Sequence, residues 1–231
     1  MRDARKPIGR RERAKQDKRE RIMAAARELF AERGVGGVTT QQVAERADVA
    51  IGTLYLYAAT KAELLIMVQN QKFAVAIDAG QAAAAAAGQG PLDGVIALIR
   101  PVVACVREQV ENGRTYLHEL VFGDPSEPYR REGLVLSARL EDGIAQLLTR
   151  DERIDGRDAA TLARVITAII HISTTATVYL HRSDETVLRD IREQVRVTMS
   201  LDRILPLSNP ADNGIFTVHE NGRPPEPAHR V

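Results

Sequence analysis

Residues 39–65 read TTQQVAERADVAIGTLYLYAATKAELL, and this stretch decides the fold. Thr39 is followed three residues later by Gln42, the spacing of a capping box, which satisfies free backbone N–H groups at the start of a helix. Apolar residues then recur at helical spacing, so that we expect a short helix over about 40–47. Asp48 follows where the chain must turn, and Asp tolerates the left-handed backbone conformation better than most residues.

Three further helices are predicted around this short one. A second short helix over about 50–57 follows the turn, and Thr60 is placed to cap a long helix that continues past Phe73. Upstream, apolar residues at i, i+4, i+7 and i+8 predict a helix from about Asp17 that ends at Gly34. Two short helices therefore lie between two longer ones.

The remaining sequence has the composition of a helical protein. Hydrophobic residues make up 44% of the chain, aromatic residues only 4%, and Trp is absent, which favours a core of aliphatic helices. Further helices are predicted over about 92–112, 114–122, 127–150, 157–181 and 184–205. The alanine-rich segment before them is expected to extend the fourth helix, with a linker at 88–91. The fold class that follows is all-α.

This pattern predicts a chain of four parts. Residues 1–16 are basic and almost free of apolar side chains, and we expect a flexible arm. Residues 17–62 form a three-helix helix-turn-helix domain, whose fourth helix links onward to about residue 80, and residues 63–205 form a larger helical domain. Residues 206–231 carry five of the ten prolines and little apolar periodicity, which predicts a disordered tail.

The charge of the chain is unevenly distributed. Residues 1–61 hold 14 Lys and Arg against eight Asp and Glu, whereas residues 62–231 hold 18 against 23. A basic head on an acidic body suggests that one end meets a polyanion. A solvated basic tail explains the composition alone equally well.

The segment from Ile51 to Tyr57 has the chemistry that contact with DNA requires. The second helix of a helix-turn-helix lies in the major groove, so its backbone must approach closely and its side chains must reach base edges and phosphates. Gly52 is slim, Thr53 can donate or accept, and the tyrosines carry hydroxyls. Lys61 stands at the start of the next helix, where its charge and the free N–H groups can share a phosphate.

Several spaced elements of residues 18–66 resemble the DNA-binding region of the TetR family. These are Val-Ala-Glu-Arg-Ala, Gly-Thr-Leu-Tyr-x-Tyr and Lys-x-x-Leu-Leu, preceded by Ala-x-x-Leu-Phe-x-x-x-Gly in the first helix. Two positions depart from the family pattern: Asp48 replaces a turn glycine, and Ala58 replaces an aromatic residue. Neither change removes a group expected to face DNA.

The resemblance implies a set of DNA-contacting residues: Thr39, Thr40, Gln41, Ala50, Ile51, Gly52, Thr53, Tyr55, Tyr57 and Lys61. Within it, 51–53 would face the bases, while Leu54 is expected in the core. Three alternatives stay open: Tyr55 can be a hydrophobic anchor only, Thr39 can cap its helix with or without touching phosphate, and the basic arm can be inert.

The resemblance also implies that the later helices hold an effector site and a dimer contact. Residues 162–180 are apolar nearly all round, so they should be covered on more than one side. Together with 184–205, the helix over 157–181 is expected to form a four-helix homodimer interface. Candidates for the effector site are Tyr116, His118, Phe122, Tyr129, His171 and Thr175, although a lone buried histidine such as His171 is more often a satisfied core residue than a ligand contact. The low aromatic content favours an aliphatic or acyl-type effector.

Motifs for catalysis or for a metal do not occur in the sequence. It contains no Gly-rich phosphate loop, no H-E-x-x-H or C-x-x-C spacing and no G-x-S-x-G elbow, so we expect no enzyme, metal or cofactor. Cys105 is the single cysteine, the N-terminus opens with charges instead of a signal segment, and no apolar run is long enough for a membrane span. These features predict a cytoplasmic protein that does not enter a membrane.

The function that these observations predict is transcriptional regulation. A dimeric repressor would occupy a pseudo-palindromic DNA operator and be released by a small-molecule effector. Two alternatives remain: an activator of the same fold, and an architectural DNA-binding protein without an effector.

Overall fold

The computed structural model describes residues 9–88 and 90–200, and these residues contain helices but no strand. The all-α prediction is confirmed. The α-helices of the described residues are α1 Arg10–Arg33, α2 Thr40–Arg46, α3 Ile51–Tyr55, α4 Lys61–Ala86, α5 Pro91–Arg107, α6 Val110–Phe122, α7 Pro128–Leu148, α8 Gly156–Thr175 and α9 Asp184–Thr198. A short 3₁₀ helix, Thr177–Tyr179, lies between the last two. None of the helices described is both long and apolar enough to cross a membrane.

The head of the molecule consists of α1, α2, α3 and the start of α4. Its local signals act as the sequence predicts: Thr39 and Gln42 form a complete capping box, and the Thr60 hydroxyl accepts from the backbone N–H of Glu63. Asp48 adopts the left-handed conformation, with φ 52°. The Arg21 guanidinium donates to the carbonyl oxygens of Ala47 and Asp48 at 3.0 and 3.1 Å, which fixes this turn against α1.

The body of the molecule is built on the packing of α4 against α5. Gly80 faces the backbone carbonyl of Leu98 so closely that a Cβ would overlap it, which places the two helices in direct contact. α4 runs through the alanine-rich segment to Ala86, and Pro91 occupies the first turn of α5, where its missing N–H costs no hydrogen bond. α7, α8 and α9 complete the core around this pair.

The first helix begins earlier than the sequence analysis placed it. Residues 10–16, expected in a flexible arm, form the first turns of α1, and residues 1–8 lie outside the described part of the chain. Arg, Glu, Ala, Lys and Gln all favour helix, and the Gln16 side chain donates to Glu20 at 2.8 Å. A helix can continue without an apolar face when the rest of it is already packed, so apolar periodicity alone placed the start of α1 too late.

The predicted helix over 92–112 is two elements instead of one. α5 ends at Arg107, and Gln109 has an extended conformation (φ −133°, ψ 100°) while its side chain accepts from the backbone N–H of Asn112. α6 therefore begins at Val110, four residues before the predicted start. Gln109 caps a helix less often than Ser or Asp, which is why the boundary was missed.

The helices at the C-terminal side of the body are shorter than predicted. α8 ends at Thr175 because Ala176 is extended, and a 3₁₀ turn takes the place of its last residues. α9 is described to Thr198. Both the predicted end of that helix, 201–205, and the predicted tail, 206–231, lie outside the described residues.

The apolar stripe of α9 is used inside the chain. Leu188, Ile191 and Val195 are buried, in a helix that packs against α5 and α8. These side chains therefore pack inside the chain, and the contribution of α9 to a homodimer interface stays a prediction. α8, by contrast, is covered on one side only and leaves Val165 and Ile172 42% and 59% exposed.

Candidate nucleic-acid interface and effector cavity

The outer surface of α3 is open to solvent. Around Gly52 no atom would lie within 4 Å of an added Cβ, so the backbone can be approached closely there. Tyr55 is 47% exposed and Leu56 84%, while Leu54 is fully buried in the core, as expected. An exposure of nearly half argues against Tyr55 being a buried anchor only.

Two side-chain contacts join α3 to the elements beside it. The hydroxyls of Tyr55 and Thr40 lie 3.1 Å apart and tie α3 to α2. The Tyr57 hydroxyl donates to the carbonyl oxygen of Lys15 at 3.0 Å, which ties the end of α3 to the first turns of α1. Both tyrosine hydroxyls therefore help to hold this part of the chain in place.

The other predicted DNA contacts lie at the same end of the head. Thr39 caps α2, as the sequence predicts. Lys61 is half-buried, and its ammonium group donates to the carbonyl oxygen of Val38 at 3.1 Å. Gln41 is exposed and donates to Glu45. Three predicted contacts remain: Ala50 is exposed at the N-cap of α3, whereas Ile51 and Thr53 are half-buried.

Two features of this surface escaped the sequence analysis. Leu56 occupies the variable position of Gly-Thr-Leu-Tyr-x-Tyr and lies outside the apolar period of the core, which is the signal that could have marked it as a surface residue. The first turns of α1 add exposed basic side chains: Arg10, Arg11, Arg13, Lys15 and Lys18. Together with α3 they give the head a continuous polar and basic surface.

An open cavity of about 650 Å³ lies between α6, α8 and the segment that follows α8. It brings together four of the predicted effector residues, His118, Phe122, His171 and Thr175. The rings of His118 and Phe122 are 5.0 Å apart. Burial, together with the nearby His118, lowers the pKa of His171, so its imidazole favours the neutral form.

The remaining two candidates do not line this cavity. Tyr116 is buried, its hydroxyl donates to the Asn70 side chain at 3.0 Å, and burial raises its pKa far above the usual value. Tyr129 lies under the Arg19 guanidinium at 5.9 Å, and its carbonyl accepts from Asn70 at 2.8 Å. Both tyrosines instead hold α1, α4, α6 and α7 together. The sequence around them gives no signal for this role.

The cavity has further lining residues that the sequence did not suggest: Val110, Glu111, Arg114, Thr115, Leu180 and His181. The first of these were missed because the predicted boundary of the helix lay at residue 114. Arg107 holds the segment after α8 in place, since its guanidinium donates to Asp184 and to the carbonyl oxygens of Tyr179 and Arg182.

The first turn of α6 connects this cavity to the head. The Asn112 amide donates to the carbonyl oxygen of Phe30 at 2.8 Å and accepts from the backbone N–H of Val35 at 2.7 Å. Glu111, which lines the cavity, accepts from the backbone N–H of Gly36 at 3.0 Å. These bonds, which we call the α6–α1 clasp, tie the wall of the cavity to the end of α1.

Similarity to known proteins identifies the head. The family described as bacterial regulatory proteins, tetR family, matches residues 22–68. Over 78 residues the chain is 41% identical to the HTH-type transcriptional repressor KstR of Mycolicibacterium smegmatis and 38% identical to that of Mycobacterium tuberculosis. Residues 22–68 are thus a DNA-binding region of the TetR type. The alignments cover 34% of the chain and 38% and 35% of the two repressors, so they span little more than a third of these TetR-family relatives.

The solved structures of other TetR-family regulators share the fold over most of the chain. FadR of Thermus thermophilus, in complex with lauroyl-CoA, covers 85% of this chain and 100% of its own, with a TM-score of 0.62 and 23% identity. FadR of Bacillus subtilis, in complex with stearoyl-CoA, covers 77% and 97%, with a TM-score of 0.57 and 17% identity. The fold is thus a TetR-type helix-turn-helix head on a larger helical domain.

Replacing Gly52 with Ala should separate folding from DNA binding. The new Cβ has open space in the protein, and Ala favours helix by about 0.5–1 kcal/mol, so thermal stability should stay equal or rise. At a DNA surface the same methyl group holds the backbone away, and we expect operator affinity to fall about tenfold. Calorimetry and fluorescence anisotropy measure the two quantities.

Gly156→Ala is the matched control for this variant, because its Cβ also meets nothing within 4 Å but lies in α8. It should leave operator affinity unchanged. Equal affinity of the Gly52→Ala variant and the unaltered protein would show that α3 does not approach DNA at this point.

Proposed function

We propose that this TetR-family protein is a ligand-responsive transcriptional repressor, which binds a pseudo-palindromic operator as a homodimer and leaves it when a small molecule occupies the cavity of α6 and α8. One observation carries the proposal: the first turn of α6 both lines the cavity and holds the end of α1 through Glu111 and Asn112. A protein without an effector has no need of this connection.

The head reads DNA with α3 in the major groove. Gly52 lets the backbone approach, Thr53 and Gln41 reach base edges, and the exposed Leu56 is suited to contact with a thymine methyl group. Tyr55 and Lys61 donate to phosphates with groups that the free protein already orients, and Tyr57 does so once its hydroxyl turns from the carbonyl oxygen of Lys15.

The basic first turns of α1 extend the phosphate contacts. Each added Lys or Arg contact with phosphate makes binding more sensitive to salt, because counterions are released from the DNA. Binding by a head of this kind therefore weakens steeply as the salt concentration rises.

Effector and operator influence each other through the α6–α1 clasp. An occupant of the cavity displaces α6, and the clasp carries the displacement to the end of α1 and so to the head. Coupling of this type is reciprocal: the effector weakens operator binding by the same factor by which the operator weakens effector binding.

The homodimer forms through the open face of α8. Thr161, Val165, Ala168 and Ile172 follow one another at i, i+4, i+7 and i+11, and all four are exposed in the single chain. Two copies of such a stripe can pack around a two-fold axis, which gives the symmetry that a pseudo-palindromic operator requires. α9 flanks this contact with charged residues and not with its apolar stripe.

An aliphatic or acyl-type effector suits this cavity better than a flat aromatic one. Phe122 is the one aromatic side chain among the lining residues, apart from the histidines, while Val110 and Leu180 supply aliphatic surface.

A bacterial repressor acts where the chromosome lies, so the proposed function implies a cytoplasmic protein.

Selection of bound sequences from random DNA tests the proposed function. We expect enrichment of two inverted half-sites about one helical turn apart, and loss of the enrichment in Gly52→Ala. A reporter gene behind the selected site should be less active when the protein is present. Uniform binding to all sequences would favour the architectural alternative, and increased reporter activity would favour an activator.

The variant Asn112→Leu should uncouple effector from operator. It removes both hydrogen bonds of the amide. The Phe30 carbonyl keeps the backbone N–H of Gly34, but the buried Val35 N–H is left without a partner, so stability falls by about 1–3 kcal/mol. We expect an effector from a panel of aliphatic acids and acyl thioesters to lower operator affinity about tenfold or more in the unaltered protein and less than about threefold in the variant, by anisotropy.

Thr174→Val serves as the control for uncoupling, since it removes a buried hydrogen bond to the carbonyl oxygen of Ile170 inside α8 and none to the head. Its response to effector should match that of the unaltered protein. An unchanged effector response in Asn112→Leu would rule out the clasp as the route of coupling.

The variant Ile172→Glu should prevent dimerisation. Burying an unpaired carboxylate at the C-terminal end of the α8 stripe costs several kcal/mol, so light scattering should report a monomer, and operator affinity should fall about tenfold or more. Val75→Glu, at an exposed valine of α4, is the matched control and should remain dimeric. A dimeric Ile172→Glu protein would place the interface elsewhere.

A further inference from the structure

The cavity between α6 and α8 holds more groups that can carry positive charge than an aliphatic pocket needs. We propose that its effector is an amphipathic anion, whose acidic group is bound by Arg114, His118 and His171 and whose binding takes up a proton. This inference rests on the proposed function, and it adds the charge of the effector and the pH at which the protein responds.

The charged and titratable groups that line the cavity come from three elements. α6 supplies Glu111, Arg114 and His118, α8 supplies His171, and the segment after α8 supplies His181. The single carboxylate among them is directed to the head, where it accepts from the backbone N–H of Gly36. One permanent cation and three imidazoles are left to face an occupant.

These four groups lack partners in the part of the chain that the structure describes. None of the side chains of Arg114, His118, His171 and His181 makes a hydrogen bond or an ion pair with a described residue. Arg107 and Arg130, in contrast, are buried and fully engaged with carboxylates and carbonyl oxygens. Among the described residues, no three His, Cys, Asp or Glu side chains gather to hold a metal ion. An anion is the ligand that matches an unpaired guanidinium beside imidazoles.

The cavity lining also includes apolar side chains, which come from the same elements as the charged ones. Phe122 is 71% exposed although its ring is large, and Val110 and Leu180 lie on the same cavity. An aliphatic chain attached to the acidic group would cover these surfaces and remove them from water. A volume of about 650 Å³ falls within the range of sites for small organic ligands.

Proton uptake follows from the state of the His171 imidazole before binding. Partial burial and His118 favour the neutral form of His171 in the free protein, so its pKa lies below the usual value. A bound anion favours the protonated form and raises that pKa. Affinity should therefore increase as the pH falls from above the raised pKa towards the lower one, and level off below it.

The experiment is calorimetric titration of the full chain with probes that share one aliphatic chain. We expect decanoate to bind, decanol to bind at least about tenfold more weakly and decyltrimethylammonium to bind no more tightly than decanol. Decanesulfonate serves as a second anion whose own charge does not change with pH. Both anions should bind roughly five- to tenfold more tightly near pH 6 than near pH 8.

Variants and a choice of buffers test which side chains bind the anion and take up the proton. Titration in two buffers of different ionisation enthalpy should show uptake of about one proton near neutral pH. His118→Gln with His171→Gln should abolish both the uptake and the pH dependence, while Arg114→Gln weakens anion binding at every pH. Arg189→Gln, at an exposed arginine of α9 that does not line the cavity, should change neither.

The outcomes separate this inference from the proposed function. Equal affinity for decanol and decanoate, pH-independent binding, or failure of both anions to bind would overturn the inference. Operator selection without any probe addresses the function separately: enriched half-sites together with any of these results would retain the repressor and discard its anionic effector.

Discussion

The side-chain amide of Asn112 is the interaction on which the relation between head and body depends. It is 5% exposed, and it serves as donor to the carbonyl of Phe30 and as acceptor for the N–H of Val35. The carbonyl of Phe30 also accepts from the backbone N–H of Gly34 at 3.0 Å, whereas the N–H of Val35 has Asn112 as its one partner among the described residues. A buried N–H without a partner costs about 1–3 kcal/mol. An amide can donate to the carbonyl and accept from the N–H at once, which neither an aliphatic nor a charged side chain of this size can do.

The glycines at the end of α1 allow this approach. A Cβ at Gly34 or Gly36 would overlap the Glu111 carboxylate, and Gly34 also has a positive φ of 68°. The sequence marks Gly34 only as the end of a helix, yet in the structure the run around it is the surface that receives α6. Helix termination and contact between head and body thus share the same residues, so the geometry of one fixes the other.

The parts of the fold that the sequence predicts well are those determined by neighbouring residues. The capping box of Thr39, the cap of Thr60 and the left-handed Asp48 depend on contacts within a few positions, and all three are found. The head follows from them. The cavity between α6 and α8 was predicted only in part, because the start of α6 depends on Gln109, an uncommon helix cap.

The errors in the body come from contacts that are distant in the sequence. Tyrosine is a residue type that often lines pockets, but Tyr116 and Tyr129 both form hydrogen bonds with Asn70 on α4. No local pattern in the sequence predicts a partner that far away. α1 extends to Arg10 for a related reason. Periodicity locates the apolar part of a helix, whereas the polar turns that continue it depend on helix propensity and on being attached to a packed segment.

Amphipathicity alone could not decide which helix is left for a partner. α9 has the more regular apolar stripe, and this stripe packs against α5 and α8. α8 has apolar residues on one face that pack in the core and further apolar residues on a second face that is exposed. In the proposed dimer, that second face lies one helical turn or less from His171 and Thr175, which line the cavity. The same helix would then carry the subunit contact on one flank and the effector on the other. In the proposed mechanism, an occupant that moves α8 would change the angle between the two chains, while its action on α6 would reach each head through Asn112. Both routes would alter the spacing of the two copies of α3, on which simultaneous binding to two operator half-sites depends.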